Sequence, residues 1–180
     1  MSRAGNMPHS LSEKPVFHVH QGEYFISGSR PVVACTVLGS CVAVIMYDPE
    51  LKLGAMNHGV MPRSATCVGR RCGDSAYFVD SSTELIHSEL LRAGADPSRL
   101  VVKVFGAASV LSLDRGNRGF RMGSKNREAV LDILRQLGLE AYRIDLGGER
   151  GRKVVFDTHN GDVWVKKLVR NGGCQEVPHE

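Results

Sequence analysis

The chain has no apolar run approaching the roughly 18–20 residues that span a bilayer, and its N-terminus lacks the charged start and apolar core of a signal peptide. A cytoplasmic protein without a membrane-inserted segment is therefore expected. Disulfide scaffolding is missing too. The five cysteines (Cys35, Cys41, Cys67, Cys72 and Cys174) are an odd number for a secreted framework, and 180 residues are too many to need one. Free thiols are expected. Metal spacing is absent as well: Cys67 and Cys72 lie five positions apart with no second pair, which is no zinc knuckle. His18 and His20 alternate onto one face of any strand there but have no cysteine or carboxylate partners close by in sequence. No metal and no cofactor are expected. There is no internal repeat and no low-complexity tract.

Neither sign of charge dominates, with 23 Lys and Arg against 19 Asp and Glu. The net charge of +4 is modest, and no nucleic-acid partner is expected. Arg115, Arg118, Arg121, Lys125 and Arg127 cluster, and Arg150, Arg152 and Lys153 form a second group. Such groups can steer an acidic partner, although a solvated face is the ordinary meaning of a charge run.

What is present suits one globular domain. The composition is 42% hydrophobic and 23% charged, enough for a real core. The organisation expected is a flexible N-terminal tail over 1–14, a single folded domain over 15–170 and a C-terminal tail over 171–180. Short β-prone pieces occupy 16–27, broken by Gly22, and 31–35 reads as a strand. A helix is predicted over 76–93, with Phe78, Val79, Leu85, Ile86 and Leu90 on one stripe, His87 on the solvent side and Gly94 as cap. Residues 100–105 read as a strand closed by the small residues Gly106-Ala107-Ala108-Ser109. Ser124 is placed as the N-cap of a second helix carrying Val130, Ile133, Leu134 and Leu137 to Gly138. Tyr142, Ile144 and Leu146 alternate as in a half-buried strand, and Asn160-Gly161 predicts a type I′ hairpin between 154–156 and 163–165. Strands outnumber helices without regular alternation. This predicts an α+β fold, mixed β-sheets packed with two main helices.

One stretch looks like chemistry. After Leu38-Gly39-Ser40, Cys41 opens the apolar run Val42-Ala43-Val44-Ile45-Met46-Tyr47, and Asp48-Pro49-Glu50 turns the chain back into Leu53-Gly54-Ala55-Met56-Asn57-His58. With Pro49-Glu50 as a two-residue loop, Cys41 faces His58 directly, close enough for imidazole to reach thiol. A one-residue slip would separate them onto opposite faces. A thiol with a pKa near 8.5 needs a neighbour to become a nucleophile at neutral pH. His58 is that neighbour, stabilising the thiolate, then serving as acid toward a leaving amine and as base toward water. The turn before Cys41 offers backbone N–H groups to the developing oxyanion. Cysteine and histidine in one hairpin, judged alone, are nevertheless more often core packing than catalysis.

The wording of the segment goes further. Leu38-Gly39-Ser40-Cys41-Val42-Ala43-Val44, followed by Gly54-Ala55-Met56-Asn57-His58-Gly59-Val60-Met61-Pro62, resembles the CheD family of chemoreceptor glutamine deamidases. Further matches are Lys103 to Ala108, Met122 to Asn126, Asp145 to Gly148, and Gly151-Arg152. The resemblance implies a cysteine-hydrolase fold resembling that of deamidating toxins. It also implies conversion of glutamine to glutamate on methyl-accepting chemotaxis receptors, with loss of ammonia, and in some members binding of a CheC-type phosphatase. By motif, Cys41 matches the nucleophile and His58 the base. The family's threonine lies six positions before the cysteine, where this chain has Cys35; Thr36 comes one residue later. Neighbours in a strand point to opposite faces, so Thr36 needs a bulge or local twist to serve as the hydroxyl partner of His58. Thr36 is named for that role, with Cys35 left open. A non-catalytic chemotaxis module binding receptors or a CheC-type phosphatase is the alternative.

Overall fold

The apolar run after Cys41 becomes strand β5, Val42–Asp48, in which every residue is buried. Burial on both sides follows from its place in the middle of a sheet that is itself the middle layer. The computed structural model describes residues 2–3, 14–28, 30–64, 75–109 and 118–169, with side chains from Met122 onward in the last of these. The two predicted tails therefore fall almost wholly outside the described residues, as do Cys67, Cys72, Cys174 and Arg115.

Strand β5 is flanked by β6, Leu53–Asn57, and β7, Val101–Gly106, both antiparallel to it. Beyond them lie β3, Tyr24–Ile26, and β8, Ala141–Leu146, giving the order β3-β6-β5-β7-β8. The second sheet holds β1 (Ser2–Arg3), β2 (Val16–His18), β4 (Val33–Leu38), β9 (Arg152–Asp157) and β10 (Val163–Lys167), in the order β1-β10-β9-β4-β2. Both sheets mix parallel and antiparallel pairs. Two long helices, α1 at Val79–Arg92 and α2 at Arg118–Gln136, complete an α+β fold with mixed sheets and two main helices. Among the described residues no helix is long and apolar enough to cross a membrane.

Side-chain alternation sorts these elements into three layers. One face of the central sheet, through Val42, Val44, Met46, Ala55, Val102 and Val104, meets Val79, Ile86 and Leu90 of α1 and Ala129, Val130 and Leu134 of α2. The other face, through Cys41, Ala43, Ile45, Tyr47, Met56 and Phe105, meets Ala34, Leu38, Val154, Phe156 and Val163 of the second sheet. Helix α1 buries Val79, Ser82, Thr83, Ile86 and Leu90, a stripe at helical spacing. Ile86 and Leu90 have no solvent exposure, so truncating either to Ala costs about 2–5 kcal/mol. Gly94 at φ +96° ends α1, with the Gly94 and Ala95 N–H groups donating to the Leu91 and Leu90 carbonyls.

Several expectations need correction. The β5–β6 loop has four residues, because Asp48 pairs with Leu53. The Asp48 carboxylate accepts from the N–H groups of Glu50 and Leu51, and Lys52 takes the left-handed conformation at φ 52°. The second hairpin repeats the device. Asp157 Oδ1 accepts from His159 N–H, the loop runs over 158–161, and only Gly161 has positive φ, so the turn is not type I′. Gly161 is needed there twice over, since a Cβ would fall 2.4 Å from the Tyr47 ring. Helix α2 starts at Arg118 rather than at Ser124. His87 is half-buried, with Nε2 sealed from solvent, and burial pushes its pKa down. Strand β8 is an edge whose Tyr142 and Ile144 stay 70% and 49% exposed, so the alternation there is not matched by a covering layer.

Candidate active site

The site is assembled from both sheets. Strand β4 pairs with β9 without interruption from Val33 to Leu38, so no bulge is present. Ala34, Thr36 and Leu38 point inward, while Val33 and Cys35 point outward to Val155 and Trp164. An inward Thr36 lies directly under the central sheet. From there it meets His58, the residue just past β6.

The backbone around His58 leaves the β5–β6 ladder and bonds to the neighbouring turn. His58 N–H donates to the Glu23 carbonyl at 2.9 Å, and Gly22 N–H donates to the His58 carbonyl at 2.9 Å. Asn57 makes this detour tolerable. Its Oδ1 accepts from Val44 N–H at 2.6 Å, and its Nδ2 donates to the Ser82 and Thr83 hydroxyls on α1. Each polar group released by the irregularity is thereby repaired.

Hydrogen bonds fix the tautomer of His58. The Thr36 hydroxyl donates its single proton to the Val19 carbonyl at 2.7 Å, so toward His58 Nδ1, 2.8 Å away, its oxygen accepts. Nδ1 also lies 3.3 Å from the Val19 carbonyl, another acceptor. Nδ1 therefore carries the hydrogen, and Nε2 keeps its lone pair. Nε2 is buried and without a hydrogen-bond partner. An unpartnered, correctly presented lone pair is what a general base needs.

Cys41 sits on the same face. The pairs Ile45 with Met56 and Val42 with Gly59 set Cys41 opposite Val60, two residues beyond the predicted partner. Both loop lengths are even, so the side of the sheet is preserved and His58 becomes the diagonal neighbour of Cys41. Cys41 is a free thiol, 7% exposed. Burial pushes its pKa up, partly opposed by its own backbone N–H. Burial pulls the His58 pKa down, and His20 adds to this, against the Val19 carbonyl and Glu23. Both shifts favour neutral thiol beside neutral imidazole. These directions run against the thiolate–imidazolium pair expected from the sequence.

The turn that carries Cys41 is held by its carbonyls. Ala108 N–H donates to the Gly39 carbonyl at 2.8 Å, Asn126 Nδ2 to the Ser40 carbonyl at 2.8 Å, and Ala107 N–H to the Cys41 carbonyl at 2.7 Å. Gly106, at φ +117°, has no room for a side chain: a Cβ would lie 2.1 Å from the Cys41 carbonyl oxygen. Ala107 follows at φ 55°, a strained conformation for a residue with a Cβ. Arg152, 2% exposed and paired with Leu38 across β9 and β4, reinforces this wall. Its guanidinium donates to the Asp145 and Gly147 carbonyls and to Asp145 Oδ1, while Gly147 N–H donates to the Gly106 carbonyl. The small residues at 106–108 thus serve close approach to the turn that carries Cys41.

Cys35 takes no part in this. Its Sγ lies 3.3 Å from His18 Nδ1 on the outer face, and the rings of His18 and His20 stack at 6.4 Å. Among the described residues no group of three or more His, Cys, Asp or Glu could hold a metal ion. Asn126, Arg152 and the Val19 carbonyl are the site-building groups that residue-level reading of the sequence missed. For Asn126 the available signal was a polar residue on the buried stripe of α2.

The profile of a family described as CheD chemotactic sensory transduction matches residues 60–167. A probable chemoreceptor glutamine deamidase CheD of Maridesulfovibrio salexigens is 33% identical over 169 residues, covering 92% of this chain and 99% of the relative. A probable chemoreceptor glutamine deamidase CheD 1 of Anaeromyxobacter dehalogenans is 36% identical, covering 92% and 91%. A probable chemoreceptor glutamine deamidase CheD of Jannaschia sp. is 37% identical over 173 residues, covering 95% and 87%.

Proposed function

The chain belongs to the CheD family, and from that premise we propose that it is a chemoreceptor glutamine deamidase in which Cys41 is the nucleophile and His58 the base. Its substrates are glutamine side chains on the cytoplasmic part of methyl-accepting chemotaxis receptors, and it releases ammonia. The observation that carries the reading is the Thr36–His58 contact, which leaves Nε2 as a lone pair on the face shared with Cys41.

As Sγ attacks the amide carbon, Nε2 takes the thiol proton and the carbonyl oxygen becomes an oxyanion. Backbone N–H groups of the turn ending at Cys41 are the donors for that oxygen, since the carbonyls of Gly39, Ser40 and Cys41 are occupied on the other side. The imidazolium then protonates the leaving nitrogen. Ammonia departs and a thioester remains. Water enters, Nε2 removes its proton, and the second tetrahedral intermediate collapses to carboxylate and thiol. The balance is one amide and one water giving one carboxylate and one ammonium. Thr36 touches no substrate and acts as a positioning residue.

Receptor cytoplasmic fragments incubated with the protein in heavy-oxygen water, then peptide-mapped by mass spectrometry, test this. The wild type is expected to convert glutamine to glutamate with one heavy oxygen retained, and Cys41→Ala is not. Conversion by Cys41→Ala would overturn the nucleophile. The non-catalytic alternative draws on the absence of threonine at position 35 and on the basic loops; the Thr36–His58 contact at 2.8 Å supports the catalytic reading over it. A CheC-type phosphatase is a further proposed partner, to be checked by co-purification.

A further inference from the structure

Asn126 occupies a core position on α2, in line with Ala129, Val130 and Ile133, and none of its surface is exposed. A buried amide is costly unless its hydrogen bonds are made. Here the donor side is fully used. The two protons of Nδ2 go to the Ser40 carbonyl at 2.8 Å and to the Val60 carbonyl at 3.0 Å. Oδ1 is buried and has no partner. An apolar side chain of similar size would remove the orphaned oxygen but leave the Ser40 and Val60 carbonyls without their donor, so stability favours an amide without explaining why one group serves these two carbonyls.

The placement of the two acceptors does. Ser40 is the residue before Cys41, and Val60 is the second residue after His58. One neutral NH₂ group therefore ties the arm carrying the thiol to the arm carrying the imidazole. Other ties between these arms are the paired Val42 and Gly59 backbone hydrogen bonds at 2.9 Å and the Val44 N–H to Asn57 Oδ1 bond at 2.6 Å. Those fix the ladder on one side of Cys41, and Asn126 fixes it on the other. Lysine would put an uncompensated charge in the core. A hydroxyl has one proton for two carbonyls.

We propose that Asn126 is a positioning residue that sets the spacing between Cys41 and His58 by clamping Ser40 and Val60 with a single amide. The inference rests on the deamidase reading for its consequence in turnover, but its geometric content is independent. Because the thiol and imidazole are diagonal neighbours rather than directly opposed, small movements of either arm change their separation. Misplacement of about 1 Å can cost on the order of 10²-fold in rate.

The test uses the full chain with Asn126→Leu, which keeps the volume and removes both donors, and Asn126→Asp, which keeps the shape. Both variants are checked for folding by circular dichroism and melting temperature. On receptor fragments, kcat is expected to fall on the order of 10²-fold in Asn126→Leu with KM changed less than about twofold. Its melting temperature should fall, because the Ser40 and Val60 carbonyls lose their donor, while the variant stays folded at the assay temperature. Asn126→Asp, protonated in its buried site, supplies one donor and should lie between Asn126→Leu and wild type. A second arm reads Cys41 alkylation by chloroacetamide, mapped by mass spectrometry. There Asn126→Leu should slow alkylation of Cys41 toward the rate of His58→Ala while leaving Cys35 unaffected. A folded variant whose kcat stays within about threefold of wild type overturns the proposal. So does unchanged Cys41 alkylation. If the wild type converts no receptor glutamine, the deamidase reading fails on the first arm, and the clamp is decided on the second. If Asn126→Leu does not fold, the same two criteria apply to Asn126→Asp.

Discussion

Two cysteine–histidine pairs lie on opposite sides of β4, and their surroundings differ. Outside, Cys35 Sγ and His18 Nδ1 are 3.3 Å apart, closer than many catalytic pairs. His18 is exposed, however, and no neighbouring group fixes which of its nitrogens carries the proton. Inside, Cys41 and His58 are buried at 7% and 3% exposure, and the imidazole is locked by Thr36 and the Val19 carbonyl. Contact between a thiol and an imidazole is therefore not what distinguishes a nucleophile. The difference lies in the third group, which sets the tautomer, and in the turn before β5, whose three carbonyls are held by Ala107, Ala108 and Asn126.

The largest effect that tests this contrast comes from the thiols. Cys41→Ala should abolish receptor deamidation, whereas Cys35→Ala should stay within about twofold of wild type in kcat/KM, measured on the same fragments. Comparable losses in both would erase the distinction. Next are the imidazoles. His58→Ala should lower kcat about 10²–10⁴-fold, the range for a general base, and His18→Ala should leave it unchanged. Thr36→Val removes only the orienting hydroxyl, an effect of about 1–1.5 kcal/mol, or roughly tenfold in kcat at similar KM. Thr36→Ser should restore most of that rate, since it returns the hydroxyl. The smallest effect is on stability. The folded pKa of His58 is depressed by burial, so its contribution is present above the ordinary imidazole value of about 6.5 and is lost as pH falls below it. Urea midpoints measured from neutral pH downward should decline less steeply in His58→Asn than in wild type.

Much of the inner pair was legible in the sequence, for reasons of parity. The predicted two-residue turn was wrong because the Asp48 side chain closes a four-residue loop and Lys52 accepts a left-handed conformation. Adding two residues keeps every side chain on its face, so Cys41 and His58 still share one. Asp157 closes the second hairpin in the same way, and there the Asn160-Gly161 signal misled. What pattern reasoning could not reach is which strand packs beneath the hairpin. Thr36 serves His58 from another sheet, and no bulge is required because β4 simply presents its even-numbered residues inward. Asn126 arrives from a helix more distant still in the chain. Its one local signal is a polar residue on an apolar stripe, and its partners are set by tertiary placement.

The most direct measurement of the central claim is the pH profile of kcat/KM for receptor deamidation, taken together with the ultraviolet absorbance of the Cys41 thiolate. The account predicts an acid limb set by His58 below the ordinary imidazole value and an alkaline limb above the ordinary thiol value. It also predicts no thiolate signal at neutral pH that Cys41→Ala removes. A thiolate present at neutral pH and lost in Cys41→Ala would contradict it, with an acid limb set by a thiol far below its ordinary value and an alkaline limb set by a raised imidazole.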